Sequence, residues 1–280
     1  MEIFNKINDT KRFVREVKGR AKTIGFVPTM GALHRGHLSL MEKAKAENDI
    51  LAVSVFVNPL QFNNPEDLEK YPRDFAKDRK LLEEVGCDLL FYPDVEEMYP
   101  EPVSTKYDFG ELEKVMEGSM RPGHFNGVAV VVKKLFDIVE PDKAYFGEKD
   151  FQQLAIIQKL VKMEHLPVTV VPCPIVREED GLAMSSRNER LTAGQRQIAS
   201  FIYQTLKEAV KKSHFMTPDE VRLFVRNRFK DEPDFKLEYF ELTDDKELQP
   251  VSAWEEAPGI VGFIAAWLGN VRLIDNMRFI

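Results

Sequence analysis

Cysteine is nearly absent from this chain. Only Cys87 and Cys173 occur among 280 residues, far apart and without metal-ligand spacing. That weighs against a structural zinc site and a disulfide framework, and it fits a reducing compartment. No uninterrupted apolar stretch approaches the length of a membrane span, and the opening Met1-Glu2-Ile3-Phe4-Asn5-Lys6 lacks a signal peptide's apolar region. A cytoplasmic protein with no membrane partner is expected. A basic surplus is missing too: 39 Lys and Arg stand against 46 Asp and Glu, a formal charge of −7. Nucleic acid is therefore disfavoured as the main partner, because a phosphate backbone demands cations. There is no internal repeat and no low-complexity segment. What remains, 44% hydrophobic and 30% charged residues, suits a globular protein of one large or two modest domains.

Strand-like and helix-like segments alternate through the first two-thirds. Asn8 is positioned to cap a helix carrying Phe13, Val14 and Val17 and ended by Gly19. Thr23–Val27 reads as a strand, and Ile50–Val57 as a strand buried on both faces. A charged amphipathic helix spans 73–85, stopped by Gly86, and strands follow around Asp88–Tyr92, Ala144–Phe146 and Val168–Val171. The helices between them carry Val128 to Phe136 and residues 151–164. This order predicts an α/β fold with a doubly wound, Rossmann-like parallel sheet over residues 1–175. After Pro172-Cys173-Pro174 the character changes. Capping boxes at Thr192/Gln195 and Thr217/Glu220 open two helices, and Leu237–Leu242, Ile260–Trp267 and Val271–Ile274 read as strands. A smaller α+β domain is expected over 176–280, forming a lid over the larger one.

The most informative segment is Pro28-Thr29-Met30-Gly31-Ala32-Leu33-His34-Arg35-Gly36-His37. A strand stops, a glycine-bearing loop turns, and a helix starts with two histidines at its mouth. Free N–H groups and the helix dipole would make that mouth an anion site, and imidazoles three residues apart share one helix face. The simplest ligand is a nucleotide. A capping histidine is the plainer explanation, and zinc, for which no third ligand is in place nearby, is another.

Three further polar clusters are predicted at the carboxyl edge of the sheet or on its lid. Asn58-Pro59-Leu60-Gln61-Phe62 follows a buried strand and offers amide groups, although taken alone an ordinary Asn-Pro turn is the better explanation. Gly147-Glu148-Lys149-Asp150 follows another strand, with a lysine suited to phosphates and an aspartate suited either to ribose or to capping the next helix. Met184-Ser185-Ser186-Arg187-Asn188 sets two hydroxyls and an arginine in a loop fit to clamp an anion, or simply to face solvent.

Taken together in this order, with Tyr71-Pro72-Arg73 and Arg121-Pro122-Gly123-His124-Phe125, these segments resemble the pantothenate synthetase (pantoate–β-alanine ligase) family over nearly the full length. That family belongs to the nucleotidyltransferase superfamily of class I aminoacyl-tRNA synthetases. Ala183-Met184-Ser185-Ser186-Arg187 stands in place of the synthetases' lysine-bearing loop, and Phe151 stands where a tyrosine is common in the family.

The resemblance implies that pantoate, β-alanine and ATP give pantothenate, AMP and pyrophosphate through a pantoyl adenylate. It implies catalytic roles for His37, His34 and Lys149. An ATP site would include those three with Met30, Gly31, Ala32, Leu33, Arg35, Gly36, Gly147, Glu148, Asp150, Val176, Met184, Ser185, Ser186 and Arg187. Pantoate would meet Pro28, Met30, Gln61 and Gln153, and β-alanine would meet Asn58 and Gln61. Mg2+ would ride mostly on ATP oxygens, with Asp78 the only protein group nominated to help, and a homodimer is the family expectation. A nucleotidylyltransferase that keeps AMP on its product, a non-catalytic nucleotide sensor and a tRNA-charging enzyme are the rival readings. No side chain stands out as the base for β-alanine's ammonium.

Overall fold

The structure, a computed structural model, describes residues 1–280. Six strands form one parallel sheet: β1 (Glu2–Phe4), β2 (Ile24–Thr29), β3 (Ile50–Val55), β4 (Leu89–Phe91), β5 (Lys143–Gly147) and β6 (Thr169–Cys173). Their spatial order is β1-β4-β3-β2-β5-β6. From β2 the chain winds outward through β3 and β4, then crosses back to β5 and β6 on the other side. The winding reverses between β2 and β5, and such a reversal opens a crevice at the carboxyl ends of the strands. The doubly wound expectation therefore holds. The edge strand β1 was not foreseen, because three residues are too few to show a period.

Pro28 explains where the sheet parts. Successive residues of a parallel strand bond to opposite neighbours. The Ile24 carbonyl accepts from Asp142 on the β5 side, whereas the Thr29 carbonyl accepts from Phe56 on the β3 side. Pro28, adjacent to Thr29, thus faces β5 and has no N–H to give it. The β2–β5 register ends at Phe26 and Ala144, while β2–β3 continues to Thr29 and Val55. A proline inside a central strand is tolerated here because its missing donor lies where pairing has already stopped.

Other boundaries shift for identifiable reasons. β3 stops at Val55 rather than Val57, its last two residues leaving to enter the Pro59–Gln61 turn. The first helix runs Ile7–Gly19 and is capped from Lys6, not Asn8; Glu97, from a distant segment, accepts the Ile7 N–H at 2.8 Å. The Thr192/Gln195 capping box forms, but its helix ends at Ile198 and a new one runs Phe201–Lys212. The Thr217/Glu220 box opens the Pro218–Lys230 helix as read.

Beyond β6, strands β7 (Phe235–Asp244), β8 (Ile260–Leu268) and β9 (Val271–Arg278) make an antiparallel sheet in that order. One hydrophobic core draws only on residues from Leu182 onward. Leu248, Val261 and Phe263, however, join the core of the large sheet beside the His124–Val139 helix. The small sheet thus seals its back against the large unit, and the groove between the two carries the polar residues described below.

The His124–Val139 helix also grips the turn after β3. A Cβ on Gly127 would lie 2.2 Å from the Leu60 carbonyl oxygen. Helix propensity alone favours Gly127→Ala by about 1 kcal/mol, but backbone cannot yield as a flexible side chain can. The clash should win: Gly127→Ala is expected to destabilise by roughly 1–3 kcal/mol, read as a lower midpoint in thermal denaturation.

Candidate active site

The loop after β2 is held from below. Gly31 and Ala32 are consecutive left-handed residues, with φ of 77° and 50°. Asp78, on the Phe75–Glu84 helix, accepts the Ala32 and Leu33 amides at 2.9 and 2.7 Å, one on each carboxylate oxygen. A Cβ on Gly31 would come 2.8 Å from Asp78 Oδ2, so only glycine allows this approach. Burial raises the Asp78 pKa from its ordinary value against the pull of the two amides. These bonds correct two expectations. Asp78 is 2% exposed with both oxygens engaged, so it positions the loop and does not face the cleft as a metal ligand. The buried Ala32 and Leu33 amides are turned to Asp78 and are not free for a phosphate.

The helix Arg35–Glu47 begins with an unusual capping box made by the histidines themselves. His34 is the N-cap; its Nδ1 accepts the Gly36 amide at 3.1 Å, and His37 Nδ1 accepts the His34 amide at 3.4 Å. Capping and function are thus not alternatives at these residues. A ring nitrogen that accepts from an amide carries no proton, so each neutral ring holds its hydrogen on Nε2. The rings stack at 4.1 Å between centroids, tilted by 38°. Burial, and then the Lys149 charge, lowers the His34 pKa to about 4. Burial, with His34 and Lys149, lowers that of His37 to about 3. Both rings are neutral donors at pH 7. Two of the helix-mouth amides anticipated as free, those of His34 and Gly36, are therefore taken up by the rings, each of which holds an Nε2–H in turn.

A cleft of about 230 Å³ opens over these rings at the β2–β5 switch. Pro28, Met30, His34, Gly36, His37, Gln61, Gly147, Lys149, Asp150, Gln153, Val176, Met184, Ser185, Ser186 and Arg187 line it, so residues far apart in sequence converge. Gly31, Ala32, Leu33, Arg35 and Glu148 do not. Arg35 lies on the outer face, paired with Glu42 at 2.5 Å. Asp150 stands at the N-cap of the Phe151–Met163 helix yet makes no capping bond, leaving its carboxylate to the cleft. Lys149 has Asp150 as its only close carboxylate, at 3.5 Å.

A larger chamber of about 570 Å³ continues between the two sheets and shares Arg121, Lys149, Asp150, Ser185 and Arg187 with the cleft. Asp67 there holds both Arg187 and Arg190, each at 2.9 Å. An arriving anion would compete with Asp67 for Arg187.

Asn58 differs from expectation. It is 1% exposed, donates to Gly127 and to Gln61 Oε1 at 3.0 and 3.1 Å, and accepts from Leu60 and Tyr99. Asn58 lines the cleft, but its hydrogen-bonding capacity is filled within the protein, and one of its bonds orients Gln61. Gln152, which neighbours Gln153, is likewise buried and bonded to Glu117, Leu112 and Val115.

Arg121, His124 and Tyr71, which the sequence offers only as parts of segments resembling the family and without a role at the site, all line the cleft. His124 Nδ1 donates to the Gln61 carbonyl at 2.7 Å, and its Nε2 faces Arg121 at 3.2 Å. Burial and then the Arg121 charge hold its pKa down at about 4. Tyr71 lies 3.4 Å from Ser186 Oγ.

Against known proteins, the pantoate-beta-alanine ligase family matches residues 2–278. The pantothenate synthetase of Porphyromonas gingivalis is 52% identical over 279 residues, covering 100% of this chain and 99% of its own. That of Bacteroides thetaiotaomicron is 49% identical at the same coverage. The crystal structure of pantothenate synthetase from Thermus thermophilus matches with a TM-score of 0.93 at 43% identity, covering 100% of this chain and 99% of that one. The pantoate-beta-alanine ligase of Francisella tularensis, complexed with beta-gamma ATP and beta-alanine, matches at 0.83 and 37% identity, with 100% and 98% coverage. Family match, full-length identity and fold agree, and the chain belongs to the pantoate–β-alanine ligase family.

Proposed function

We propose that this chain joins pantoate to β-alanine with ATP, and that the His34/His37 pair drives the first half-reaction. A carboxylate is a poor acyl electrophile. One pantoate carboxylate oxygen therefore attacks the α-phosphorus of ATP, and the bond from that phosphorus to the α,β-bridging oxygen breaks to release pyrophosphate. The β-alanine amine then attacks the acyl carbon of the adenylate, and AMP leaves with the bonding electrons.

The observation that carries this reading is the pair of neutral imidazoles locked with Nε2–H outward. Such donors stabilise charge as it develops on phosphate oxygens, and because the backbone holds them already oriented, they need no reorganisation at the moment of reaction. Lys149, Ser185, Ser186 and Arg187 supply the remaining donors to the phosphates. Gly147 and Asp150 lie beside the ribose, and Met30, Gly36, Val176 and Met184 complete the nucleotide's surroundings. Gln61 and Gln153 receive pantoate with Pro28 and Met30, and Gln61 also serves β-alanine. The deep end of the cleft is apolar, lined by Val128, Val131, Val132 and Leu135, which suits pantoate's methyl groups.

No group of three or more His, Cys, Asp or Glu residues converges as a metal cage. A hard cation with few carboxylates suits Mg2+ carried in on the triphosphate, its remaining positions filled by water, and no step above is routed through it. No helix is long and apolar enough to cross a membrane; a cytoplasmic homodimer completes the proposal.

The direct test is purified protein with ATP, assayed for pyrophosphate with pantoate alone and for pantothenate once β-alanine is added. Pyrophosphate should appear before β-alanine does. An adenylylated final product without free AMP would instead favour a nucleotidylyltransferase.

Removing one oriented donor costs about 3–4 kcal/mol of barrier, so His37→Ala should slow pyrophosphate release by roughly two to three orders of magnitude. Thermal melting should show the variant folded. Gln61→Ala should raise KM for pantoate well above any change in KM for ATP, because a half-buried amide group is then missing opposite a substrate hydroxyl; steady-state kinetics with each substrate varied will show the split.

The depressed histidine pKa values separate activity from stability. In the free enzyme His34 and His37 stay neutral down to about pH 4 and 3. The kcat/KM profile for ATP should therefore show no limb from these rings near 6.5. Stability behaves otherwise. Unfolded imidazoles take up protons near pH 6.5 while the folded ones do not, so their contribution is complete above 6.5 and is lost as pH falls toward 4. Denaturant titrations from pH 7 to 4.5 should show this decline.

A further inference from the structure

Lys149 has no short ion pair to hold it in place. The nearest carboxylate oxygen, Asp150 Oδ1, is 3.5 Å from its ammonium. The position of this side chain depends on its own main chain, which leaves β5 at Gly147 and makes a single tight turn, Glu148–Asp150, before the Phe151–Met163 helix.

That turn is fastened from the other unit. Asn276, on β9, gives one carboxamide hydrogen to the Glu148 carbonyl at 2.8 Å and the other to the Lys149 carbonyl at 3.0 Å. Both partners are carbonyls, so only the NH2 side of the amide satisfies them. Asn276 is 6% exposed and is itself fixed. Its amide N–H bonds the Asp275 carboxylate at 2.8 Å, and its carbonyl accepts from Arg177 at 3.3 Å. Arg177 in turn grips Asp275 with two bonds of 2.6 and 3.0 Å and stacks on Tyr203, 4.6 Å from the ring centre. A chain of buried polar contacts thus runs from the connection after β6, through β9, to the backbone of the lysine.

We propose that Asn276 is a positioning residue for Lys149: a buried carboxamide on the small sheet that sets the ammonium against the nucleotide's phosphates. The proposal rests on the reading that Lys149 binds those phosphates. Asn276 lines neither the cleft nor the larger chamber. Its two bonds determine where the Lys149 Cα sits, and a displacement near 1 Å at a reacting centre costs about 100-fold in rate. The same contacts make the packing of β9 against the Glu148–Asp150 turn a condition for placing the lysine.

The test is a double-mutant cycle on the full-length protein, reading ATP- and pantoate-dependent pyrophosphate release in wild type, Lys149→Ala, Asn276→Ala and the double variant. Asn276→Ala is expected to lower kcat/KM for ATP by about 10- to 100-fold. KM for pantoate should stay within about twofold, and Asn276→Ala should add less than about twofold to Lys149→Ala, because both changes remove one interaction. Asn276→Ser, which keeps one donor, should recover part of the loss and serves as the second variant if the alanine protein does not fold. A merely structural tie between the units would give effects that multiply, and that result overturns the proposal. So does an unimpaired Asn276→Ala beside an impaired Lys149→Ala, which leaves the proposed function standing. An unimpaired Lys149→Ala removes instead the phosphate role of the lysine, and with it this inference.

Discussion

The site depends on backbone amides donating into imidazole Nδ1 atoms. Two such bonds, Gly36 to His34 and His34 to His37, close the first turn of the Arg35–Glu47 helix and at once fix which ring nitrogen carries the proton. If either ring took the other tautomer, it would place a lone pair where Nε2–H stands and set an Nδ1–H against the backbone amide that now donates to it. Local folding and chemistry are therefore one constraint. Burial reinforces it by keeping both rings uncharged, so that they present dipoles to the cleft and not cations to be paired with carboxylates.

Around that pair, the protein uses buried polar groups to place backbone and leaves several of the groups that line the cleft sparsely bonded. Asp78 shapes the Gly31–Leu33 loop, Asn58 and His124 hold Gln61, and Asn276 holds the turn of Lys149. Each positioning residue has its hydrogen-bonding partners within the protein. Lys149, Gln153 and Asp150 have few or none, which is the arrangement expected of groups waiting for a partner. The opening itself comes from Pro28, whose missing donor lies where β2 and β5 cease to pair.

Much of this was legible in the linear chain. Alternation of buried strands and amphipathic helices is a local pattern, and the parallel sheet, the capping boxes at Thr192 and Thr217 and the His34–His37 motif all follow from it. The misassigned residues share a cause. Asp78 and Asn58 are polar residues near a motif, and sequence alone does not say whether a carboxylate or carboxamide faces a ligand or a distant amide. Ala32 and Leu33 were assigned free amides for the same reason, their acceptor lying 45 residues or more away. Arg121, His124 and Tyr71 were missed as site residues because their helix and turn reach the cleft only when the large unit closes on itself.

Sequence by itself determined the element order, the chemical types at the strand ends and the family, since these depend on short-range periodicity and on residues in fixed succession. Tertiary structure decided which polar groups remain free. It turned the helix-mouth amides inward, gave the histidines their tautomers and brought Asn276 of the last strand onto Lys149. Hydrogen-bond satisfaction is a property of the whole fold, because every buried donor must find its acceptor wherever the chain has carried it.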